Sequence, residues 1–268
     1  MILVNGQPCD SIDARDRGLA YGDGVFRTLR TQAGQPLWWH DHYATLAADC
    51  AALKLACPAE ALLHSEACAV AEAGAGVVKI VITRGVGVRG YAPSGGQATT
   101  RLVLSAPLPA HADADAPQAI TARWCSLRLA SQPRLAGIKH LNRLENVLAR
   151  GEWDDPAIAE GLLCDTDGRV VSGVMSNLFW ARDGVLYTPD LGQCGVAGVA
   201  RMRLLRAAAQ RGIPTRIERL PPAAILAADE LMICNSLIGV RRVARLGDTN
   251  WSPTGWTDTL NTALYEDN

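Results

Sequence analysis

The stretch Leu135-Ala-Gly-Ile-Lys-His-Leu-Asn-Arg-Leu-Glu145 surrounds the most informative lysine of the chain, Lys139. Gly137 lets the backbone approach a ligand closely, and a helix predicted over residues 140–153 would hold the lysine in a fixed geometry. A lysine that bonds covalently to an aldehyde must spend time as a neutral amine, which requires burial or a nearby positive charge. Arg143, one predicted helical turn away, is placed to supply that charge. Lys139 is therefore a candidate catalytic residue.

Lysine is rare in this protein, so lysine chemistry has few possible locations. Among 26 basic residues, three are lysines, namely Lys54, Lys79 and Lys139, and the other 23 are arginines. Lys54 lies in a predicted helix, where a long amphipathic side chain normally reaches out to water. Lys79 lies in a strand of alternating apolar residues, which indicates a structural role. Lys139 is the remaining candidate.

Composition and charge exclude several classes of protein. The 268-residue chain has a net charge of −1 with both signs spread along it, unlike a basic nucleic-acid-binding stripe. With 49% hydrophobic residues it is globular, and no apolar run approaches the roughly 18–20 residues that span a bilayer. The amino terminus shows no signal-peptide pattern. We expect a cytoplasmic protein that acts on a small-molecule substrate, with no nucleic-acid or membrane partner.

The cysteines indicate neither a metal site nor a disulfide framework. Eight of them are spread singly along the chain, without a C-x-x-C pair or a tight His/Cys cluster. Structural zinc sites and small disulfide-rich folds need such spacings. We expect reduced, mostly buried thiols and no metal.

Two further segments carry groups suited to a phosphate. Residues 192–201, Gly-Gln-Cys-Gly-Val-Ala-Gly-Val-Ala-Arg, end by opening a predicted helix, and the free N–H groups of a helix start attract anions. Asn235 and Ser236 follow a predicted strand, where amide and hydroxyl groups suit phosphate oxygens but are equally common in turns. Neither segment matches a nucleotide-binding fingerprint. Together with Lys139, they describe a site for a phosphorylated aldehyde held by an amine.

The remaining pattern predicts many short strands and fewer helices. Strands are expected at residues 2–4, 25–31, 36–39, 77–83, 101–106, 119–124, 160–164, 169–171, 178–181, 185–187, 215–218 and 230–234. Helices are expected at residues 40–54, 58–75, 140–153 and 198–211. Short turns join many strands, so we predict an α+β or α/β fold with mixed and antiparallel sheets. The Pro-, Ala- and Asp-rich residues 107–117 are the best linker, between a smaller domain (1–106) and a larger one (118–268).

An ordered set of motifs gives nearly the whole chain a resemblance to a known family. The set is Gly22-Asp-Gly-Val-Phe26, Ile138-Lys-His-Leu-Asn-Arg-Leu-Glu145, Asn177-Leu-Phe, Gly195-Val-Ala-Gly-Val and Glu230-Leu-Met-Ile-Cys-Asn235. It resembles the fold-type IV pyridoxal-phosphate enzymes, which include the branched-chain and D-amino acid aminotransferases, and among them most closely the aminodeoxychorismate lyases. The stretch KHLNRLEN from Lys139 and the loop RGVGVRGY at residues 84–91 point to the lyases rather than to the aminotransferases.

The resemblance implies a homodimer of two-domain subunits with pyridoxal 5′-phosphate at the domain interface, bound mainly by the larger domain. The implied reaction converts 4-amino-4-deoxychorismate to 4-aminobenzoate and pyruvate for folate synthesis. Lys139 corresponds to the Schiff-base lysine, and it would also remove the substrate proton. The implied cofactor-binding residues are Lys139, Ser172, Asn177, Gly198, Val199, Ala200, Asn235 and Ser236.

Two positions depart from the family pattern. The family's glutamate opposite the pyridine nitrogen corresponds to Ser172 here, and an arginine that helps to bind phosphate corresponds to Thr45. A carboxylate beside the ring nitrogen stabilises its protonated form and makes the ring a stronger electron acceptor, whereas a hydroxyl does not. We therefore expect Ser172 to favour elimination over transamination. Loss of the arginine predicts weaker cofactor binding unless another arginine replaces it.

The substrate-binding residues are less determined by the sequence. A substrate with two carboxylates is expected to meet arginines in bidentate geometry. Arg89 and Tyr91 in the glycine-rich loop are the first choices, and Arg27 and Arg143 are the next. Two alternatives to the lyase stay open: a D-amino acid or branched-chain aminotransferase of the same fold, and a catalytically inactive relative that only binds ligands.

Overall fold

The chain divides into two units in the computed structural model, which describes residues 1–71, 74, 76–93, 96, 98–112 and 119–266. The first unit contains Met1–Ala110 and Ile138–Asn142, and the second contains His111–Gly137 and Arg143–Asn268. The sequence places residues 138–142 in the second domain, whereas the structure groups them with the first. The predicted linker, residues 107–117, lies partly outside the described residues.

The first unit is built on an antiparallel sheet. Its strands within the described ranges are β1 (Ile2–Val4), β2 (Gln7–Pro8), β3 (Gly24–Gln32), β4 (Gln35–Pro36), β5 (Gly76–Thr83) and β6 (Thr100–Pro107). They lie in the order β2-β1-β6-β5-β3-β4. The helices of this unit are α1 (Arg17–Tyr21), α2 (Trp39–Ala52) and α3 (Glu60–Val70). Alternate residues of β3, such as Val25 and Leu29, are buried in a core with Leu46 of α2 and Leu63 of α3.

Residues Ile138–Asn142 add a short extended segment beside β3. The Phe26 N–H donates to Lys139 O at 3.0 Å, and the Leu141 N–H donates to Gly24 O at 2.9 Å. The helix predicted from residue 140 is therefore wrong over its first turn, because these backbone groups are already bonded to a neighbouring strand. Only a tertiary contact could show this, since the local pattern of the segment is helical.

The second unit is built on a mixed sheet. Its strands in the part of the chain that the structure describes are β7 (Ala119–Leu129), β8 (Ile158–Asp165), β9 (Val170–Gly173), β10 (Asn177–Arg182), β11 (Val185–Pro189), β12 (Thr215–Glu218), β13 (Glu230–Asn235), β14 (Gly239–Leu246) and β15 (Thr249–Asn250). Their order is β12-β11-β10-β13-β14-β7-β8-β9, with β15 paired to β14. The pairs β11/β12, β14/β7 and β7/β8 are parallel. The helices are α4 (Leu144–Arg150), α5 (Val199–Gln210), α6 (Pro222–Leu226) and α7 (Trp256–Glu266).

The predicted fold class is confirmed, since one sheet is antiparallel and the other is mixed. The sequence patterns miss the strands β2, β14 and β15 and the helices α1, α6 and α7. The strand predicted at residues 36–39 is wrong beyond Pro36, because Trp38 takes a left-handed conformation (φ 54°) and α2 begins at Trp39. A left-handed residue breaks the extended chain and lets it turn into the helix.

Candidate active site

Lys139 has its backbone fixed on both sides. Its carbonyl accepts from Phe26 of β3 at 3.0 Å, and its N–H donates to Asp49 Oδ2 of α2 at 3.2 Å. Its Nζ lies 4.5 Å from the centroid of the Phe26 ring. A half-buried amine over an aromatic face is held in position while it stays accessible to a ligand. The structure thus gives the predicted catalytic lysine a defined orientation.

A second lysine shares the same ring. Lys79 Nζ lies 5.0 Å from the Phe26 centroid, and Lys79 pairs with Thr28 across the β3/β5 ladder. Among the described residues, no carboxylate forms an ion pair with Lys79. The sequence pattern indicates only a structural role for Lys79, because alternation within one strand does not reveal which residue the next strand presents. The structure instead places two amines at one ring.

Arg27 lies in the interior rather than on an open surface. It is 2% exposed, and its Nη2 donates to Asp49 Oδ2 at 2.5 Å and to Thr45 O at 3.4 Å. Burial lowers the pKa of Arg27 and raises that of Asp49, while the attraction between the two charges opposes both shifts. Thr45, which the resemblance places at the position of a family arginine, donates its hydroxyl to Asp41 O at 2.6 Å. Arg27, predicted to bind substrate, is therefore engaged with α2.

The start of α5 forms a compact backbone cradle in the second unit. Asn177 joins β10 to it, because its Oδ1 accepts from Gly198 N at 3.1 Å and its Nδ2 donates to Val196 O at 2.8 Å. A Cβ on Gly198 would lie 2.4 Å from Asn177 Oδ1, so a side chain at this position would displace the Asn177 amide from its hydrogen bonds. The first-turn amides of Val199 and Ala200 follow directly, and amides at a helix start attract anions. This geometry suits a phosphate.

Asn235 lies at the same end of the sheet as Asn177. Its Oδ1 accepts from the N–H groups of Leu237 at 2.9 Å and Ile238 at 3.0 Å, which shapes a turn after β13. Asn177 pairs with Cys234, the residue before Asn235. Ser236 is half-buried within this turn. The structure therefore brings the two predicted phosphate-binding segments to neighbouring strand ends.

Ser172 is buried in β9, where it pairs with Leu163 of β8. Next to it, Glu160 is buried beneath the chain that follows β9. The Glu160 carboxylate accepts from Gly161 N at 3.0 Å, Val174 N at 3.1 Å and Ser176 Oγ at 2.8 Å, and from Met175 N at 3.4 Å. Burial raises the pKa of Glu160, although these hydrogen bonds act to lower it. Glu160 is not among the residues predicted from the sequence, although an acid within the apolar strand Ile158-Ala-Glu-Gly-Leu-Leu-Cys164 is a signal for it.

The glycine-rich loop is held by an ion-pair cluster of Asp23, Arg17 and Arg84. Asp23 accepts from Arg17 Nε at 2.9 Å and from Arg84 Nε at 2.7 Å. Arg17 also donates to the carbonyls of the loop at Gly90 (2.7 Å) and Tyr91 (3.0 Å). The side chain of Tyr91 is 87% exposed.

Two predicted substrate residues lie on opposite sides of the unit division. Arg89 belongs to the first unit and is exposed, whereas Arg143 belongs to the second and directly precedes α4. Arg143 Nη1 donates to Asn146 Oδ1 at 3.4 Å. Substrate contact stays a prediction for Arg89 and for Arg143.

Similarity to known proteins shows the family to which this chain belongs. The model of the class IV amino-transferases matches residues 24–246, which is most of the chain. The chain belongs to this class IV family. Its match begins at Gly24, directly before the Phe26 ring, and runs to the end of β14, so it spans both units of the fold.

Both lyases and aminotransferases are among the relatives of this chain. An aminodeoxychorismate lyase of Vibrio harveyi is 36% identical over 246 residues, which are 91% of this chain and 90% of the relative. A putative branched-chain-amino-acid aminotransferase of Methanocaldococcus jannaschii is 31% identical, over 87% of this chain and 83% of the relative. The crystal structure of 4-amino-4-deoxychorismate lyase from Pseudomonas aeruginosa matches with a TM-score of 0.93 and 43% identity, over 100% of this chain and 99% of that one.

Within the described residues, no helix is both long and apolar enough to cross a bilayer.

Proposed function

We propose that this protein is a pyridoxal-phosphate-dependent carbon–oxygen lyase that converts 4-amino-4-deoxychorismate to 4-aminobenzoate and pyruvate in folate biosynthesis. The observation that carries the proposal is the amine of Lys139, held over Phe26 by backbone hydrogen bonds on both sides. Two lyases to which this chain is similar, at 36% and 43% identity, support it.

The residues present fit pyridoxal 5′-phosphate. Lys139 supplies an amine for its aldehyde, and the cradle at Gly198 leaves no room for a Cβ beside Asn177. Val199 and Ala200 would hold the phosphate through their backbone amides, together with the turn at Asn235 and Ser236. When bound, the cofactor supplies an electron-accepting ring that stabilises negative charge on the carbon next to the amine.

The chain itself contributes proton transfer and orientation. Lys139 Nζ would act as the base that removes the proton from the carbon that bears the substrate amine. Loss of that proton accompanies cleavage of the enolpyruvyl ether bond, and the six-membered ring becomes aromatic. The same Nζ then returns a proton to the departing enolpyruvate, a general-acid role worth roughly 10²–10⁴-fold in rate.

The substrate carries two carboxylates, and the structure adds a cation to the residues predicted to bind them. Lys79 shares the Phe26 ring with Lys139 and forms no ion pair within the described residues. Its ammonium group is therefore available to an anionic ligand near the reacting amine. We propose that Lys79 binds one of the two substrate carboxylates, in addition to the loop residues Arg89 and Tyr91 that are predicted from the sequence.

The first test of this function locates the cofactor. Purified protein is expected to be yellow, and borohydride reduction followed by peptide mass spectrometry is expected to place the cofactor on Lys139. Pyruvate release from 4-amino-4-deoxychorismate then tests the lyase activity. Lys139→Arg is expected to abolish both, whereas Lys54→Arg is a matched control that leaves both intact. Labelling of Lys54 or Lys79 would contradict the assignment.

An aminotransferase is the second candidate, because a 31% identical relative carries that name. The replacement at Ser172 favours the lyase, since a neutral hydroxyl beside the pyridine nitrogen supports transamination poorly. We predict that Ser172→Glu raises half-transamination with D- or L-alanine above the wild-type level, as measured by conversion to the pyridoxamine form. Ser252→Glu, at an exposed position, is the control. No gain in Ser172→Glu would count against the role of Ser172.

An inactive binding relative, the third candidate, would bind the cofactor without releasing pyruvate or transaminating alanine. The same two assays therefore separate all three candidates.

The quaternary structure is also part of the proposal, with a homodimer in the cytoplasm. The exposed apolar residues Leu144, Val147 and Leu148 of α4, with the nearby Met175, form a surface suited to a second copy of the chain. Asn146, also on α4, donates to Val174 O at 2.8 Å and so ties this surface to the chain after β9. Light scattering on wild type and Leu148→Asp tests it, with a shift to monomer expected in the variant.

A further inference from the structure

We propose that Asp49, held by Arg27, is a positioning residue that fixes the backbone of Lys139 and thereby aims its amine. This inference rests on the proposed role of Lys139 as the cofactor-binding lysine. It gives Arg27 a different role from the substrate contact predicted from the sequence.

One carboxylate oxygen connects a buried cation to the lysine backbone. Asp49 Oδ2 accepts from Arg27 Nη2 at 2.5 Å and from the Lys139 N–H at 3.2 Å. On the other side of the lysine Cα, the Lys139 carbonyl accepts from Phe26 N at 3.0 Å. The two peptide groups that flank this Cα are thus anchored to α2 and β3. Anchoring both peptides sets the direction in which the side chain leaves the backbone, toward the face of Phe26.

Stability alone does not account for this ion pair. Asp49 is 6% exposed and Arg27 is 2% exposed, so both charges have lost their hydration. The Arg27 Nε is buried and has no hydrogen-bond partner among the described residues. A buried pair with an unsatisfied N–H is a costly way to hold a helix on a sheet, and apolar replacements of such pairs are often neutral or stabilising. What an apolar pair could not supply is an acceptor for the Lys139 N–H.

The same unit offers a matched control. Glu66 of α3 and Arg101 of β6 form a second ion pair, with Oε1 and Nη2 2.7 Å apart and side chains 8% and 20% exposed. This pair also joins a helix to a strand, but its hydrogen bonds do not lead to the lysine segment. Replacing it by apolar residues tests the general cost of losing such a pair.

The experiment compares two double variants of the full-length enzyme with wild type. Arg27→Met/Asp49→Leu removes the proposed clamp, and Arg101→Met/Glu66→Leu removes the control pair. Three properties are measured: the melting temperature, residue-resolved amide hydrogen exchange at Lys139 and Phe26, and kcat and KM for pyruvate release. Asp49→Asn, which keeps one acceptor oxygen at the site, is measured in parallel.

The clamp variant is expected to lose positioning while it keeps the fold. We expect its Lys139 amide to exchange at least about 10-fold faster while Phe26 keeps its protection, and its kcat to fall about 10-fold or more at an unchanged KM. Asp49→Asn is expected to lie between this variant and wild type. The control variant is expected to match wild type in Lys139 exchange and in kcat.

Three results would overturn the inference. The first is unchanged Lys139 exchange and kcat in the clamp variant. The second is equal loss of protection at Lys139 and Phe26, which indicates general loosening. The third applies if the clamp variant does not fold: a folded Asp49→Asn variant then shows the same Lys139 exchange and the same kcat as wild type. Failure of the proposed function is distinct, because it appears in the wild type as absent colour or labelling of another lysine, whereas the exchange measurement does not depend on cofactor.

Discussion

Asp49 in the first unit and Glu160 in the second are both buried carboxylates that accept hydrogen bonds from a chain segment of the proposed site, but they are stabilised differently. Asp49 faces the guanidinium of Arg27 and accepts from the Lys139 N–H. Glu160 accepts three backbone N–H groups and the hydroxyl of Ser176, all of them neutral donors. Burial raises the pKa of both carboxyl groups.

The difference shows two ways to keep an acid in a protein interior. A cation offsets the charge of Asp49 in one strong interaction, so this site depends on a single partner. Several dipoles share the stabilisation of Glu160, so no single donor dominates there. Asp49 therefore depends on one side chain, that of Arg27, whereas Glu160 is hydrogen-bonded to several residues of the segment that follows β9. Three substitution experiments test this contrast, and they are ordered by the expected size of the effect.

Removing the cation from the first site should have the largest effect. Arg27→Met leaves Asp49 buried without its partner, and breaking a buried ion pair from one side costs about 3–5 kcal/mol of unfolding free energy. Urea denaturation measures this loss. Arg101→Met is the control, because it removes the partner of Glu66 in an ion pair whose arginine is more exposed. It should lose less unfolding free energy. A loss below that of the control would show that the Arg27 pair is not the main support of Asp49.

Changing the acid of the second site should have an intermediate effect. Glu160→Gln keeps the shape of the side chain but turns an amide NH₂ toward groups that donate, such as Ser176 Oγ and Met175 N. We expect a loss of about 1–3 kcal/mol in the free energy of unfolding, because buried donors lose their acceptor. Glu152→Gln serves as a control, since Glu152 also accepts backbone N–H groups but lies nearer to water. Equal losses at both positions would contradict the importance of burial.

The pH dependence of stability should show the smallest and most specific difference. A carboxyl group whose pKa is raised by folding stabilises the native state fully below its unfolded pKa, and this contribution is lost as the pH rises toward the folded pKa. Removal of Arg27 raises the pKa of Asp49 further, because the opposing attraction is gone. As the pH rises from about 4 to about 7, the free energy of unfolding of Arg27→Met should therefore fall by more than that of wild type.

Denaturation curves across this pH range provide the measurement. The double variant Arg27→Met/Asp49→Leu, which lacks the carboxyl group, should return to the wild-type slope or below it. A single variant that gains stability as the pH rises would reverse the sign of the argument and refute it.

Local patterns predict much of the fold and part of the site. Alternating apolar residues predict strands such as β5, and turn residues such as Asp183-Gly184 predict the hairpin of β10 and β11. The motif around Lys139 and the glycine-rich start of α5 identify candidate groups through their resemblance to a family. Local patterns do not show that Lys79 shares the Phe26 ring with Lys139, or that Glu160 accepts several hydrogen bonds, because a single strand pattern shows that a residue alternates but not which group faces it.

By itself, the sequence determined the class of the fold, the few lysines that could serve as an amine and the glycine-rich segment that opens α5. Tertiary structure alone decided that residues 138–142 pair with β3 instead of starting a helix, and that Arg27 forms a buried ion pair with Asp49. The reason is the distance along the chain. The Lys139 N–H and its acceptor are 90 residues apart in sequence. Local periodicity describes only neighbouring residues, whereas contacts of this range are set by how the helix packs on the sheet.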